Sequence, residues 1–378
     1  MKDTTGVACR SGLDVVRPAT GSTRAERAPY APPVNRQSTD PTDLIDPADG
    51  VRLRAIGVPA PDLAIEPEGY IVAADDGTRL HFLDWGTPAD GSAATPGVVV
   101  LHGLARTAWS WTPVARRLAG VLHVVAPDGR GHGLSDAPTT GYDLATLADD
   151  ALAVADASGI LPCPTIVAGH GSGAIVAIET AARLGSGCAG LVLVDGGWDA
   201  ADPDERPTVD EWLRSIDEPP EVLASMTVFL ADRAAFDPAT WDADQARAAR
   251  ASVVELPAGR VVLVTRRHVL AAMGETLLAH DPLAELPRIS APIVALAARD
   301  DTDGARTAAL DRARAAARVA GRPAMTVASF PADGHDLVRY RAGIVAGAIL
   351  DLAHAAATRG AQPRAGYTWP DPGVPSRG

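Results

Sequence analysis

Lysine is almost missing from this chain: Lys2 is the sole one, and the other basic residues are arginines. Aromatic residues make up only 4% of the sequence, so any core must be built from Ala, Val, Leu and Ile. Three cysteines, Cys9, Cys163 and Cys188, show no C-x-x-C spacing, which argues against both a disulfide scaffold and a zinc site. No apolar run reaches the roughly 18 residues that a membrane helix needs. The start, Met1-Lys2-Asp3-Thr4-Thr5, lacks the apolar stretch of a signal peptide. The expectation is a soluble, cytoplasmic protein. Basic charge is outweighed, 34 residues against 47 acidic ones for a net −13, which disfavours nucleic acid and anionic lipid as partners. Phosphate-loop and zinc-protease motifs are missing, as is a G-x-G-x-x-G after the first strand, so no cofactor and no metal are expected. The expected partner is a small-molecule substrate.

Apolar residues make up 47% of the 378, enough for a large core. Residues 1–67 hold many prolines, among them Pro29, Pro32, Pro33, Pro59, Pro61 and Pro67, and little periodicity. They are expected to be a mostly disordered arm, with Leu44-Ile45 and Leu63–Ile65 able to dock. Residues 359–378 are expected to be a flexible tail.

Between these ends the pattern alternates. Tyr70–Ala73 and Arg79–Trp85 flank Asp75-Asp76-Gly77 and predict a hairpin. Strands are predicted at Gly97–Leu101, Val121–Ala126, Pro164–Ala168, Gly190–Val194, Pro292–Ala298 and Met325–Phe330, as continuous apolar runs suited to a sheet buried on both faces. Helices are predicted at Trp111–Leu118, Tyr142–Ala157, Ala174–Leu184, Ala305–Val319 and Leu337–Ala357. The fold class that follows is α/β, a mostly parallel sheet with helices on both faces. The alternation pauses over 198–286, read as a helical cap inserted between the two core parts, 68–197 and 287–358. A cap at that point covers the carboxyl ends of the strands, where open α/β sheets bind ligands.

Gly169-His170-Gly171-Ser172-Gly173 lies between a strand and a helix, the setting of a G-x-S-x-G nucleophile elbow. Aligning the outer glycines puts Gly171 at the nucleophile position. Ser172 follows in the first turn of the helix. Other stretches fall in order around it: Leu101-His102-Gly103-Leu104, Pro127-Asp128-Gly129-Arg130-Gly131-His132-Gly133-Leu134-Ser135-Asp136, the run 191–197 reading LVLVDGG, Ala298-Arg299-Asp300-Asp301 and Gly334-His335-Asp336. From about Tyr70 to Ala357 the chain resembles the α/β-hydrolase family with a cap. The resemblance implies Asp301 as the triad acid, with Asp300 as the alternative, and His335 as the base. It also implies an oxyanion hole at Gly103-Leu104 and Ser172, using the backbone N–H groups of Leu104 and Ser172. Ser172 is carried as a candidate displaced nucleophile beside its reading as a plain helix residue. His102, Trp109 and Trp198 are weak pocket candidates, with Trp111 beside Trp109, and His268 and His280 weak contacts in the cap. Asp128 and Arg130 read as a turn-stabilising pair.

The implied function is hydrolysis of a small ester, lactone or related acyl substrate, through Ser172 or through water activated by His335. One alternative is non-hydrolytic proton transfer of the lyase, cyclase or isomerase type on the same His–Asp dyad. Another is a catalytically dead binding protein, a pseudoenzyme of the fold.

Overall fold

The computed structural model describes residues 44–45, 52–53, 58–88, 95–200, 206–216, 222–298, 304–330 and 333–358, all within one compact unit spanning 33–378. Most of the expected arm and all of the expected tail lie outside the described residues. Within the arm, Leu44–Ile45 pairs antiparallel with Arg52–Leu53. Residues 58–67 are held against the body: Arg116 donates to the Ile65 carbonyl and pairs with Glu66, and the Asp62 amide donates to the Arg116 carbonyl.

Eight strands form the main sheet: β1 (Glu68–Ala73), β2 (Arg79–Asp84), β3 (Gly97–Leu101), β4 (Val124–Pro127), β5 (Thr165–His170), β6 (Cys188–Val194), β7 (Ile293–Ala298) and β8 (Thr326–Phe330). Their order is β8-β7-β6-β5-β3-β4-β2-β1. The pairings β1·β2 and β2·β4 are antiparallel, and those from β4 through β3, β5, β6 and β7 to β8 are parallel. Strand residues alternate between two cores, as the two-residue period of a strand requires. Val98 and Val100 join one with α1 (Thr112–Leu118) and α11 (Ala342–Thr358). Val99 and Leu101 join the other with α2 (Leu144–Ala157), α3 (Ser172–Leu184) and α9 (Ala305–Val319). Each such fully buried valine or leucine contributes about 1.5–3 kcal/mol of apolar burial.

Local chemistry places the helix starts. The Asp143 carboxylate accepts from the Thr146 amide at the start of α2. Thr208 and Glu211 form a capping box at α4 (Val209–Ser215). The predicted helix over 337–357 is two helices, α10 (Leu337–Tyr340) and α11, because the chain turns at Arg341 (φ −131°, ψ 37°), whose guanidinium is held by Asp333. The predicted strand at Val121–Ala126 begins later: Val121 and Leu122 donate to the Leu118 carbonyl in a turn, and Val121 is exposed.

Between β6 and β7 the inserted segment carries α4, α5 (Met226–Phe236), α6 (Ala243–Ala251), α7 (Arg267–Ala279) and α8 (Pro282–Glu285). It is not purely helical, as the reading of 198–286 had it. Val222–Leu223, Val253–Glu255 and Val261–Leu263 pair into a small antiparallel sheet, the last two runs rich in β-branched valine. The segment docks on the loops after β3 and β4. Val269 and Met273 of α7 pack with Tyr142, Leu147 and Leu104, and the Thr276 hydroxyl donates to the Tyr142 carbonyl. Farther along, Arg116 pairs with Asp244 of α6 at 3.0 Å. No helix among the described residues is long and apolar enough to cross a membrane.

Candidate active site

The turn from β5 into α3 is set by backbone crowding. A Cβ on Gly169 would lie 2.2 Å from the Gly173 carbonyl oxygen, and one on Gly173 would lie 2.4 Å from the Leu101 carbonyl oxygen. Strand, turn and helix can meet this closely only with hydrogen at both places. Gly171 sits at the apex with φ 55° and ψ −118°, a conformation costly for any residue with a side chain. Its amide donates to the Val194 carbonyl, and its carbonyl accepts from the Ala174 amide.

His335 lies in the loop after β8 and faces this apex. A Cβ built on Gly171 would be 3.0 Å from His335 Nε2 and 3.3 Å from its Cε1. On the far side of the ring, Nδ1 is 2.5 Å from the Asp195 carboxylate. Asp195 is fully buried, whereas the His335 side chain is 42% exposed. The imidazole thus has one nitrogen held by a sequestered acid and the other turned toward the apex of the turn.

Asp301, expected as the acid, and its alternative Asp300 lie outside the described residues. The carboxylate on Nδ1 is instead that of Asp195, at the carboxyl end of β6, one strand before β7. Sequence reasoning missed it, although the residue stands in the run LVLVDGG. The available signal was its position, an acid ending a buried parallel strand where the insertion begins. The second oxygen of Asp195 accepts from the Ala298 amide and from Arg306 at 2.9 Å. Burial pushes the carboxyl up, but the His335 hydrogen bond and the Arg306 charge outweigh it and bring it down to about 2. Asp195 also has φ 46°, and Ala105 in the opposite loop has φ 56°. Strained non-glycine backbone of this kind gathers at functional sites.

The expected oxyanion donors are the backbone amides of Ser172 and Leu104. Ser172 is the first residue of α3, so its amide has no partner within the helix. The Leu104 amide makes no hydrogen bond among the described residues, while its neighbour Ala105 donates to His132 Nε2. Gly103 runs close under the elbow: a Cβ there would lie 3.2 Å from the His170 carbonyl oxygen. His170 is buried, and its Nε2–H donates to the His335 carbonyl, tying the elbow to the histidine loop. Burial lowers the His170 pKa to about 4, so it is neutral at pH 7. Asp336, next to His335, is paired with Arg106 at 3.0 Å.

The other candidates separate. No hydrogen bond joins the Ser172 side chain to His335 among the described residues. Ser172 instead lines a cleft with Gly103, Gly173 and Val176, and that cleft is not lined by His335. His102 borders the same cleft, but both its nitrogens are engaged with backbone of Gly103 and Gly129. Trp198 is 1% exposed and packs in the core, with Arg306 over its ring, and it does not line that cleft. Trp109 is half-buried beneath the Arg247 guanidinium, and Trp111 is wholly buried. His280 is buried, with Nε2 3.1 Å from the Gly197 carbonyl oxygen. His268 is exposed. Asp128 and Arg130 belong to separate networks rather than to one pair: Asp128 holds His81 and the Ala108 and Leu134 amides, and Arg130 holds Asp150 and Asp76. No cluster of metal-ligating side chains is present among the described residues.

The model of the alpha/beta hydrolase family matches residues 98–348, two-thirds of the chain. The chain belongs to the alpha/beta hydrolase family. A putative carbamate hydrolase RutD of Caulobacter vibrioides is 30% identical over 226 residues, 59% of this chain and 78% of that protein. A non-heme chloroperoxidase of Streptomyces lividans is 38% identical over 103 residues, 27% of this chain; the match spans only 35% of that relative's own length. Among solved structures, the fold is similar to an E-2-(acetamidomethylene)succinate hydrolase, with TM-score 0.62 and 20% identity over 76% of this chain and 99% of that one. It is also similar to the thioesterase domain from the curacin biosynthetic pathway, with TM-score 0.61 and 20% identity over the same shares. At that identity the likeness is one of fold. This α/β-hydrolase chain therefore carries the family's elbow turn and a histidine facing it, with glycine at the apex.

Proposed function

We propose that this chain hydrolyses a small carboxylic ester, lactone or related acyl substrate by direct attack of water, with His335 as general base and Asp195 as the acid that orients it. The observation that carries this reading is the placement of His335 Nε2, 3.0 Å from where a Cβ on residue 171 would be. A base so placed serves whatever oxygen occupies the room left by the glycine.

In the proposed reaction, Nε2 takes a proton from water as the water oxygen bonds to the acyl carbon. The carbonyl oxygen becomes an oxyanion beside the Leu104 and Ser172 amides. Each such donor typically contributes about 3 kcal/mol to the transition state. The ionised Asp195 stabilises the imidazolium. When the tetrahedral intermediate collapses, the bond to the leaving oxygen breaks and Nε2–H protonates that oxygen, so ester and water give acid and alcohol. No acyl-enzyme forms.

The test is pre-steady-state hydrolysis of p-nitrophenyl acetate. The expected result is turnover without a burst, no labelling by a fluorophosphonate, and a loss of about 10²–10⁴-fold in His335→Ala. Labelling that disappears in Ser172→Ala, or a His335→Ala variant with full turnover, would overturn the reading. The same space beside Nε2 favours a second one: a substrate C–H could lie there in place of water, making His335 the base of a lyase, cyclase or isomerase. Exchange of substrate protons with solvent deuterium, without hydrolysis, would favour it.

A further inference from the structure

Beside the elbow, the cleft lined by Ser172 runs between β2, β3, α2, α3 and α7. Its apolar wall is Leu80, Leu101, Leu147, Ala151, Val176 and Met273. The charged side chains and histidines that border it have their polar atoms engaged elsewhere, while the Ser172 hydroxyl at its oxyanion end makes no hydrogen bond among the described residues. Arg130 donates to both oxygens of Asp150, at 2.6 and 2.7 Å, and to Asp76 at 3.0 Å. The Asp128 oxygens accept from His81 and from the Ala108 and Leu134 amides. His102 and His132 each use one nitrogen on a carbonyl and the other on an amide. Burial holds both imidazoles below their ordinary pKa, His132 at about 3, so neither presents a charge. Away from Ser172, a polar ligand group would have to break one of these bonds, whereas a hydrocarbon gains by leaving water.

The cleft shares Gly103 and Ser172 with the oxyanion position but not the His335 wall. That asymmetry assigns the two halves of an ester. The leaving oxygen must receive its proton from His335, so the alcohol part lies on the histidine side. The acyl part then extends past Ser172. We infer that this cleft is the acyl-chain subsite of the enzyme and takes an unbranched hydrocarbon chain, making the substrate a fatty-acyl rather than an acetyl or charged acyl compound. This inference rests on the hydrolytic reading for which end of the ligand enters, but the binding of a hydrocarbon chain does not require turnover.

The experiment compares p-nitrophenyl esters from acetate to octanoate, and ethyl acetate against hexyl acetate. Beside them, the melting temperature is measured with 2-octanone, a ketone that cannot be hydrolysed. Each acyl methylene buried should raise kcat/KM about fourfold until the cleft is full, with little response to the alcohol chain. Val176→Phe from the α3 wall and Ala151→Leu from the α2 wall fill the cleft, and either folded variant should lower the hexanoate-to-acetate ratio at least tenfold. 2-Octanone should raise the melting temperature of the native protein and not that of the variants. Turnover that ignores acyl length, or a ratio unchanged in both folded variants, overturns the cleft assignment and leaves hydrolysis standing. Stabilisation by 2-octanone that the variants abolish, without turnover of any ester, supports the cleft and overturns the hydrolytic reading.

Discussion

At the apex of the turn stands Gly171, and its effects come from geometry alone. At φ 55° the position strains any side chain, and a Cβ would press on His335 at 3.0 Å. Gly171→Ala should therefore lower stability by about 1–3 kcal/mol and push the imidazole aside by a few tenths of an ångström. Denaturant unfolding measures the first effect, and a drop in turnover of about tenfold or more measures the second. Gly171→Ser suffers the same strain but places a hydroxyl within reach of Nε2. That variant is expected to become reactive to a fluorophosphonate. An inert Gly171→Ser that still folds would show that His335 is not placed to activate a nucleophile there.

At the scale of elements, the acid of the dyad depends on two neighbours brought in by β7 and α9. The Ala298 amide ends β7, and Arg306 lies in the first turn of α9, both on the Asp195 oxygen that His335 does not use. Arg306→Met removes the positive charge that, with the histidine bond, holds Asp195 at about 2. A carboxyl depressed in the folded state contributes stability above its unfolded pKa of about 3.8 and loses it as pH falls through the folded value. Raising the folded pKa reduces that contribution. The variant should be less stable at pH 7 by about 1–3 kcal/mol, and the difference from the native protein should shrink toward pH 2. Urea unfolding across that range reads both. The element pattern itself was legible: continuous apolar runs gave the parallel strands, and the spacing of Gly169 and Gly173 gave the strand–turn–helix. The small sheet in the inserted segment was not, because runs of two or three residues are too short to show a period.

For the whole molecule, the buried histidines govern behaviour in mild acid. Burial lowers His170 to about 4 and His132 to about 3, while the unfolded chain takes up those protons near pH 6.5. Between about pH 6.5 and 4 the unfolded state binds more protons, so stability falls as pH falls. His170→Gln should remove close to one proton from that slope, about 1.4 kcal/mol per pH unit. Unfolding free energies at pH 7, 6, 5 and 4.5 measure it, and a slope equal to that of the native protein would show that His170 is protonated in the fold.

Sequence alone determined the architecture, the elbow with its bare apex and the histidine that faces it. Each is written in a short stretch of chain, as a hydrophobic period, a glycine spacing or a local motif, and can be read without knowing what lies beside it. Only the tertiary structure decided which carboxylate holds His335. Asp195 and His335 are 140 residues apart, and they meet because β6 and β8 both flank β7 and deliver their carboxyl ends to one edge of the sheet. The same is true of Ser172: its place in the chain left it a candidate nucleophile, and the direction in which α3 leaves the turn set its side chain in the cleft wall, with no hydrogen bond to His335.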